Sequence, residues 1–173
     1  MSEETTQSRK SLIGFALALI LGAGLAVVLT QRSSLLEEGV EAPPFELTAI
    51  DGSERVSLAG LKGKVVLLDF WSTSCPPCIK EMRDLEIIHQ RLAAQDVVVL
   101  GINTEGASPV LLRNFAKARG VSYKVLMDHG AVSDSYRVTS IPSLYLIDRD
   151  GKIRWSHVGY ASHEVLEARL QEL

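Results

Sequence analysis

Apolar and polar positions switch between two periods along the chain, and each switch marks an element. Residues 64–71, Lys-Val-Val-Leu-Leu-Asp-Phe-Trp, form a β-branched and apolar run of strand length with one acid inside it. Beyond it Cys78, Ile79, Met82, Leu85, His89 and Leu92 recur at helical spacing, which predicts an amphipathic helix from Pro76 towards Gln95. Residues 96–103 read as a buried strand. Ser108 and Pro109 then supply an N-cap and a first-position proline for a helix that stops before Gly120. A short strand at 123–127 and a helical turn at 131–136 follow. Strands at 143–147 and 152–160 flank Asp150-Gly151, a hairpin signal. A final helix starts at Ser162 with Val165, Leu166 and Leu170 as its apolar face. Upstream, a strand from Phe45, an Asp51-Gly52 turn and a short strand at 55–57 predict a hairpin. Alternating strands and helices that end in a hairpin and a helix predict an α/β domain, a mixed sheet covered on both faces.

The longest apolar stretch lies outside that domain. Residues 12–29 are uncharged, bracketed by Arg9-Lys10 and Arg32, and long enough for a hydrocarbon core of about 30 Å. A cleaved secretory signal has a shorter apolar core and a small-x-small exit, whereas the exit here is Val27-Val28-Leu29-Thr30-Gln31-Arg32. No cysteine near the N-terminus offers a lipoprotein anchor. An uncleaved transmembrane anchor at 12–30 is therefore expected, with 1–11 as a cytoplasmic tail, 31–42 as a tether and 43–173 as the domain. The small excess of positive charge before the span places the domain outside a bacterial inner membrane, on the periplasmic side. The net charge of -3 offers no basic footprint, which excludes nucleic-acid binding.

The only two cysteines, Cys75 and Cys78, stand between the 64–71 strand and the helix that follows. A strand, a tight turn and a thiol at a helix N-terminus make a redox arrangement, because unpaired N–H groups and the positive end of the helix dipole favour the attacking thiolate. Cys78 falls in the apolar stripe and Cys75 towards its edge, so Cys75 is expected to attack and Cys78 to resolve. A disulfide closing so short a loop removes little chain entropy, so stapling is a weak motive. Structural zinc wants four ligands, and two sulfurs with four scattered histidines do not supply them. No metal site and no cofactor beyond the Cys75–Cys78 redox-active disulfide are expected. His89 lies eleven residues beyond Cys78, about 16 Å along a helix, too far to act as its base.

Asp69-Phe70-Trp71-Ser72-Thr73-Ser74-Cys75-Pro76-Pro77-Cys78, together with Val138-Thr139-Ser140-Ile141-Pro142-Ser143 and Leu146-Ile147-Asp148-Arg149-Asp150-Gly151, resembles the thioredoxin fold, and more narrowly the membrane-anchored TlpA/ResA-like thiol-disulfide oxidoreductases. The resemblance runs from about Gly39 to the end. It implies a thioredoxin-like mixed sheet flanked by helices, with an extra N-terminal β-hairpin and a strand-helix insertion at 97–120. It makes Pro142 the cis-proline facing the active-site disulfide, and Trp71, Ile141 and Pro142 the substrate-binding residues. It places Asp69 behind the resolving thiol, where a carboxylate accepts the Cys78 proton. Glu81 matches a helix glutamate near the thiols, where its charge would raise their pKa values. Ser74 departs from the tryptophan that relatives carry before the first cysteine, which removes an apolar contact beside the nucleophile.

Pro76 and Pro77 both lack an N–H, so two donors that would cradle a Cys75 thiolate are missing. A less stabilised thiolate means a more negative potential, which favours a reductase of protein disulfides over an oxidase. Cytochrome c maturation or metal-centre assembly is the implied role. The implied partners are a disulfide-containing protein and a membrane electron donor, with the chain a monomer. A Cu(I)-carrying dithiolate is the alternative from another class, since soft sulfurs suit that ion.

Overall fold

The computed structural model describes residues 35–173. The expected tail and membrane span at 1–30 lie outside the described residues. Among the described residues no helix is long and apolar enough to cross a membrane.

The elements follow the periodicities closely. β1 (Glu46–Ala49) and β2 (Arg55–Ser57) form the expected hairpin, and β3 (Val65–Trp71) leads into α1 (Pro76–Leu92). A 3-10 turn at Ala93–Gln95 and a left-handed Asp96 (φ 58°) then reverse the chain into β4 (Val97–Asn103). α2 (Pro109–Ala118) begins as its cap predicts, with the Ser108 side chain accepting from the Leu111 N–H. β5 (Lys124–Met127), α3 (Ala131–Ser135), β6 (Ser143–Ile147), β7 (Ile153–Val158) and α4 (His163–Leu170) complete the order.

Seven strands form one sheet in the order β2-β1-β5-β4-β3-β6-β7. β3 pairs parallel with β4 and antiparallel with β6, so the sheet is mixed and thioredoxin-like, with β3 near its centre. Every β3 residue is buried, as a strand covered on both faces requires. Alternation then sorts its side chains. Val65, Leu67 and Trp71 join the core under α1 with Met82, Leu85 and Ile88. Val66, Leu68 and Phe70 join the opposite core with Phe45, Tyr136 and Tyr145. The two-residue period puts Asp69 on the α1 side.

Two boundaries differ from expectation. Residues 35–42 do not form a free tether. The Gly39 N–H donates to the Ile153 carbonyl at 2.7 Å, the Ala42 N–H to Gly151 at 2.9 Å, and Leu35 is buried in the second core. β7 is an edge strand with unpaired backbone groups at its start, and this segment satisfies them. In α4, Val165 is exposed while Leu166 is buried, because an eight-residue helix packs along one narrow ridge rather than over the broad apolar face expected.

Candidate active site

The end of β3 and the start of α1 deliver the two cysteines. The Cys75 N–H donates to the Ser72 carbonyl at 3.4 Å, and the Cys75 carbonyl accepts from the Ile79 N–H at 3.1 Å, which opens the helix. Cys75 and Cys78 are joined in a disulfide with their Cα atoms 5.3 Å apart. Cys75 keeps 8% of its surface exposed and Cys78 none. Pro76 and Pro77 are exposed and bring no N–H to the sulfurs. The Cys78 N–H does, donating to Cys75 Sγ at 3.3 Å.

Three acids line α1 and β3 behind the pair. Asp69 is fully buried, and neither of its carboxyl oxygens has a hydrogen-bond partner. Burial, and then the nearby Glu81, push its carboxyl well above the usual range. Glu81, one turn beyond Cys78, is also fully buried. Its Oε1 accepts from the Ala161 N–H at 2.6 Å, while Oε2 has no partner. Burial raises Glu81 to about 8 against the downward pull of the Ala161 N–H, with Asp84 adding to the rise. Burial thus keeps the Glu81 carboxyl mostly protonated below about pH 8, so the like-charge effect expected of it on the thiols belongs mainly to the pH range above that.

Asp84 shows no local signature in the sequence beyond its place one turn after Glu81. Its Oδ1 accepts from the His163 N–H at 3.2 Å and meets His163 Nδ1 at 2.8 Å, and its Oδ2 accepts from the Tyr160 hydroxyl at 2.9 Å. Burial pushes Asp84 up, but the hydrogen bonds from His163 and Tyr160 outweigh it and hold the carboxyl below its usual range. Glu81 and Asp84 thus clamp residues 160–163 onto α1.

A second set of contacts fixes the turn before Cys75. Glu105 accepts from the Thr73 N–H at 3.0 Å, from the Thr73 hydroxyl at 3.1 Å and from the Asn103 amide at 3.1 Å. Neither Glu105 nor Asn103 carries a sequence signal for this role, since Thr73 lies about thirty residues away in the chain. Ser74 is exposed, with its hydroxyl 3.2 Å from that of Ser72.

The Ile141–Pro142 peptide bond is cis. Pro142 is buried, its carbonyl accepting from the Gly159 N–H at 2.9 Å, and half-buried Ile141 packs against the core that contains both cysteines. Trp71, expected to meet substrate, is fully buried instead. Its indole stacks on Phe115 with ring centres 5.6 Å apart, because the β3 alternation that buries Leu67 buries Trp71 with it. It has no surface to offer a partner.

Three of the histidines have other partners. His163 belongs to the Asp84 clamp, His157 stacks on Trp155, and His89 lies edge-on to Tyr123 with ring centres 6.3 Å apart. Among the described residues no three His, Cys, Asp or Glu side chains gather to hold a metal ion.

The family model described as AhpC/TSA family matches residues 39–156. The thioredoxin-like protein YneN of Bacillus subtilis is 33% identical over 167 residues, covering 94% of this chain and 97% of YneN. The thiol-disulfide oxidoreductase ResA of the same organism is 35% identical over 144 residues, 81% of this chain and 79% of ResA. Among solved structures, the pneumococcal exposed lipoprotein thioredoxin Etrx1 of Streptococcus pneumoniae superposes with a TM-score of 0.68 at 31% identity, covering 76% of this chain and all of Etrx1.

Proposed function

The chain belongs to the AhpC/TSA family of thioredoxin-like proteins and is a thiol-disulfide oxidoreductase of the ResA type, and from that premise we propose that it reduces protein disulfides through Cys75 and Cys78. The observation that carries the reading is the disulfide at the mouth of α1, with an exposed edge on Cys75, none on Cys78, and a buried unpaired carboxyl in the core layer beneath.

The exchange balances as follows. The Cys75 thiolate attacks one sulfur of a substrate disulfide, and the other leaves as a thiolate. Cys78 then attacks Cys75 Sγ in the mixed disulfide, passing its proton to Asp69 while the second substrate thiolate departs. The substrate gains two electrons and the enzyme is left oxidised, so a donor must return two electrons. On that return an incoming thiolate attacks Cys75, and protonated Asp69 gives its proton to the leaving Cys78 sulfur. The raised pKa of Asp69 suits both directions. Ile141 and Pro142 hold an extended substrate strand beside the pair.

The missing N–H groups at Pro76 and Pro77 support reduction over oxidation, since Cys78 N–H is the backbone donor left to a Cys75 thiolate. Titration against glutathione is expected to give a potential near about -270 mV, the thioredoxin range, and a value near about -120 mV would make the protein an oxidase. The apolar run at 12–29 supports an extracytoplasmic domain held at the membrane, as does a solved relative described as an exposed lipoprotein thioredoxin. Cytochrome c maturation or metal-centre assembly, with re-reduction by a membrane donor, is the role that placement favours. Trapping mixed disulfides with Cys78→Ser in the membrane fraction names the substrate; recovery of no disulfide-linked protein contradicts the reading.

A further inference from the structure

Among the described residues, every buried side-chain polar atom without a hydrogen-bond partner sits in one layer. They are both oxygens of Asp69, Trp71 Nε1, Glu81 Oε2, His89 Nδ1 and the Tyr123 hydroxyl. Trp71 and Tyr123 belong to the core between the sheet and α1, Glu81 and His89 lie on α1, and Asp69 shares the β3 face of Trp71. Buried polar groups are satisfied almost everywhere in native proteins, so such a concentration calls for a reason.

Gly101 supplies the geometry. It stands directly opposite Asp69 in the β3–β4 register, so the two residues face the same side of the sheet. The space a side chain would fill there is taken by Trp71 Nε1 and Tyr123 Cε2, 3.0 and 3.1 Å from the position of a Cβ. Cε2 neighbours the carbon that bears the hydroxyl. The glycine therefore brings an indole N–H and a phenol O–H, two donors without acceptors, into the layer beside the Asp69 carboxyl. Asp69 and Tyr123 are close enough for the acid to raise the phenol pKa, after the larger effect of burial.

We propose that Tyr123 is a positioning residue for thiol-disulfide exchange: its hydroxyl, with the Trp71 indole N–H, holds the Asp69 carboxylate that forms when Asp69 has given its proton to Cys78. The inference rests on the proposed proton role of Asp69. In the disulfide form Asp69 keeps its proton and the donors stay unpaired. In the dithiol form a carboxylate appears in a buried layer, and a buried charge without donors is costly. The titratable groups that face this layer are Glu81, His89 and the cysteines, with Glu86 at its rim, where it accepts from the Ser122 N–H at 2.7 Å. Glu81 lies near enough to raise Asp69 further and brings no unpaired donor when ionised.

The test follows the release of glutathione from a mixed disulfide on Cys75 by stopped flow across pH, in wild type, Tyr123→Phe, Asp69→Asn and the double variant. Without its hydroxyl donor the carboxylate is harder to form, so Tyr123→Phe is expected to move the midpoint of the rate up by about one pH unit, a roughly tenfold loss below it. The double variant is expected to match Asp69→Asn alone. A uniform slowing with the midpoint in place, or a further shift in the Asp69→Asn background, overturns the inference while leaving Asp69 as the acceptor. If Asp69→Asn itself keeps the wild-type midpoint, the Asp69 reading falls first. In wild type, infrared difference spectra between disulfide and dithiol forms are expected to show a tyrosine C–O band moving with the Asp69 carboxyl band. A tyrosine band that does not move overturns the inference without any substitution.

Discussion

Replacing Glu81 with glutamine changes how stability depends on pH, and the size of the change follows from its burial. The carboxyl titrates at about 8 in the folded protein against an ordinary 4.5. Between these limits the folded state keeps a proton that the unfolded chain has lost, so stability falls as pH rises, at up to about 1.4 kcal/mol per pH unit. The loss is complete above the folded pKa. Glutamine keeps an oxygen for the Ala161 N–H and never ionises, so Glu81→Gln escapes the penalty. Integrating the linkage gives a penalty of about 1 kcal/mol at pH 5 and about 4 kcal/mol at pH 8. The gap between variant and wild type therefore widens by about 3 kcal/mol across that window, a large part of a small domain's total stability.

Urea unfolding of the disulfide forms of both proteins across that range measures the gap directly. Groups whose titration the substitution leaves unchanged cancel in the difference. Asp69, raised in the same direction and partly by Glu81, gives wild type an additional slope that the variant loses in part. The acids held below their usual range, Asp84 and Glu86 among them, act in the opposite sense and only at more acid pH. Their stabilisation is present above the ordinary pKa and lost as pH falls through the lower folded value. Parallel stability curves for wild type and Glu81→Gln between about pH 5 and pH 8 would refute the burial of an uncharged Glu81.

Other substitutions test the surrounding contacts. Asp84→Ala strips the acceptor from the His163 N–H and the Tyr160 hydroxyl, and a loss of about 2 to 4 kcal/mol is expected in thermal or urea unfolding near neutral pH. That loss should shrink in acid, where wild-type Asp84 itself takes up a proton; a constant loss counts against a charged Asp84. Gly101→Ala forces a Cβ against two buried rings that have little room to retreat, and overpacking of about 1 to 3 kcal/mol is expected. Unchanged stability there would mean that Trp71 and Tyr123 do not crowd Gly101. Glu105→Ala removes an exposed brace and is expected to cost about 1 kcal/mol or less, yet to speed hydrogen exchange at the Thr73 amide; unaltered protection there would leave Glu105 without a role in holding the turn.

The parts of the site that are legible in the sequence are those built by neighbours in the chain. The cysteine pair, its turn and the helix it opens arise from contiguous residues, and the flanking apolar run marks Asp69 for burial before any contact is known. The same alternation that buries Leu67 foretells the interior place of Trp71, so that error came from the family analogy and not from the pattern. Glu105, Asp84 and Tyr123 are different in kind. Glu105 meets Thr73 across 32 positions, Asp84 meets His163 across 79, and Tyr123 reaches the Asp69 layer from β5's approach through the space left by Gly101. No periodicity encodes such meetings, because they depend on which strands become neighbours in the sheet. The hydrogen bond that holds Glu81 belongs with them, since its Ala161 partner enters from the loop before α4. The sulfur chemistry is thus written in a few adjacent residues. The pH at which it runs is set by groups from separate elements, so two chains sharing the motif and the fold can differ in proton handling through a single residue such as Tyr123.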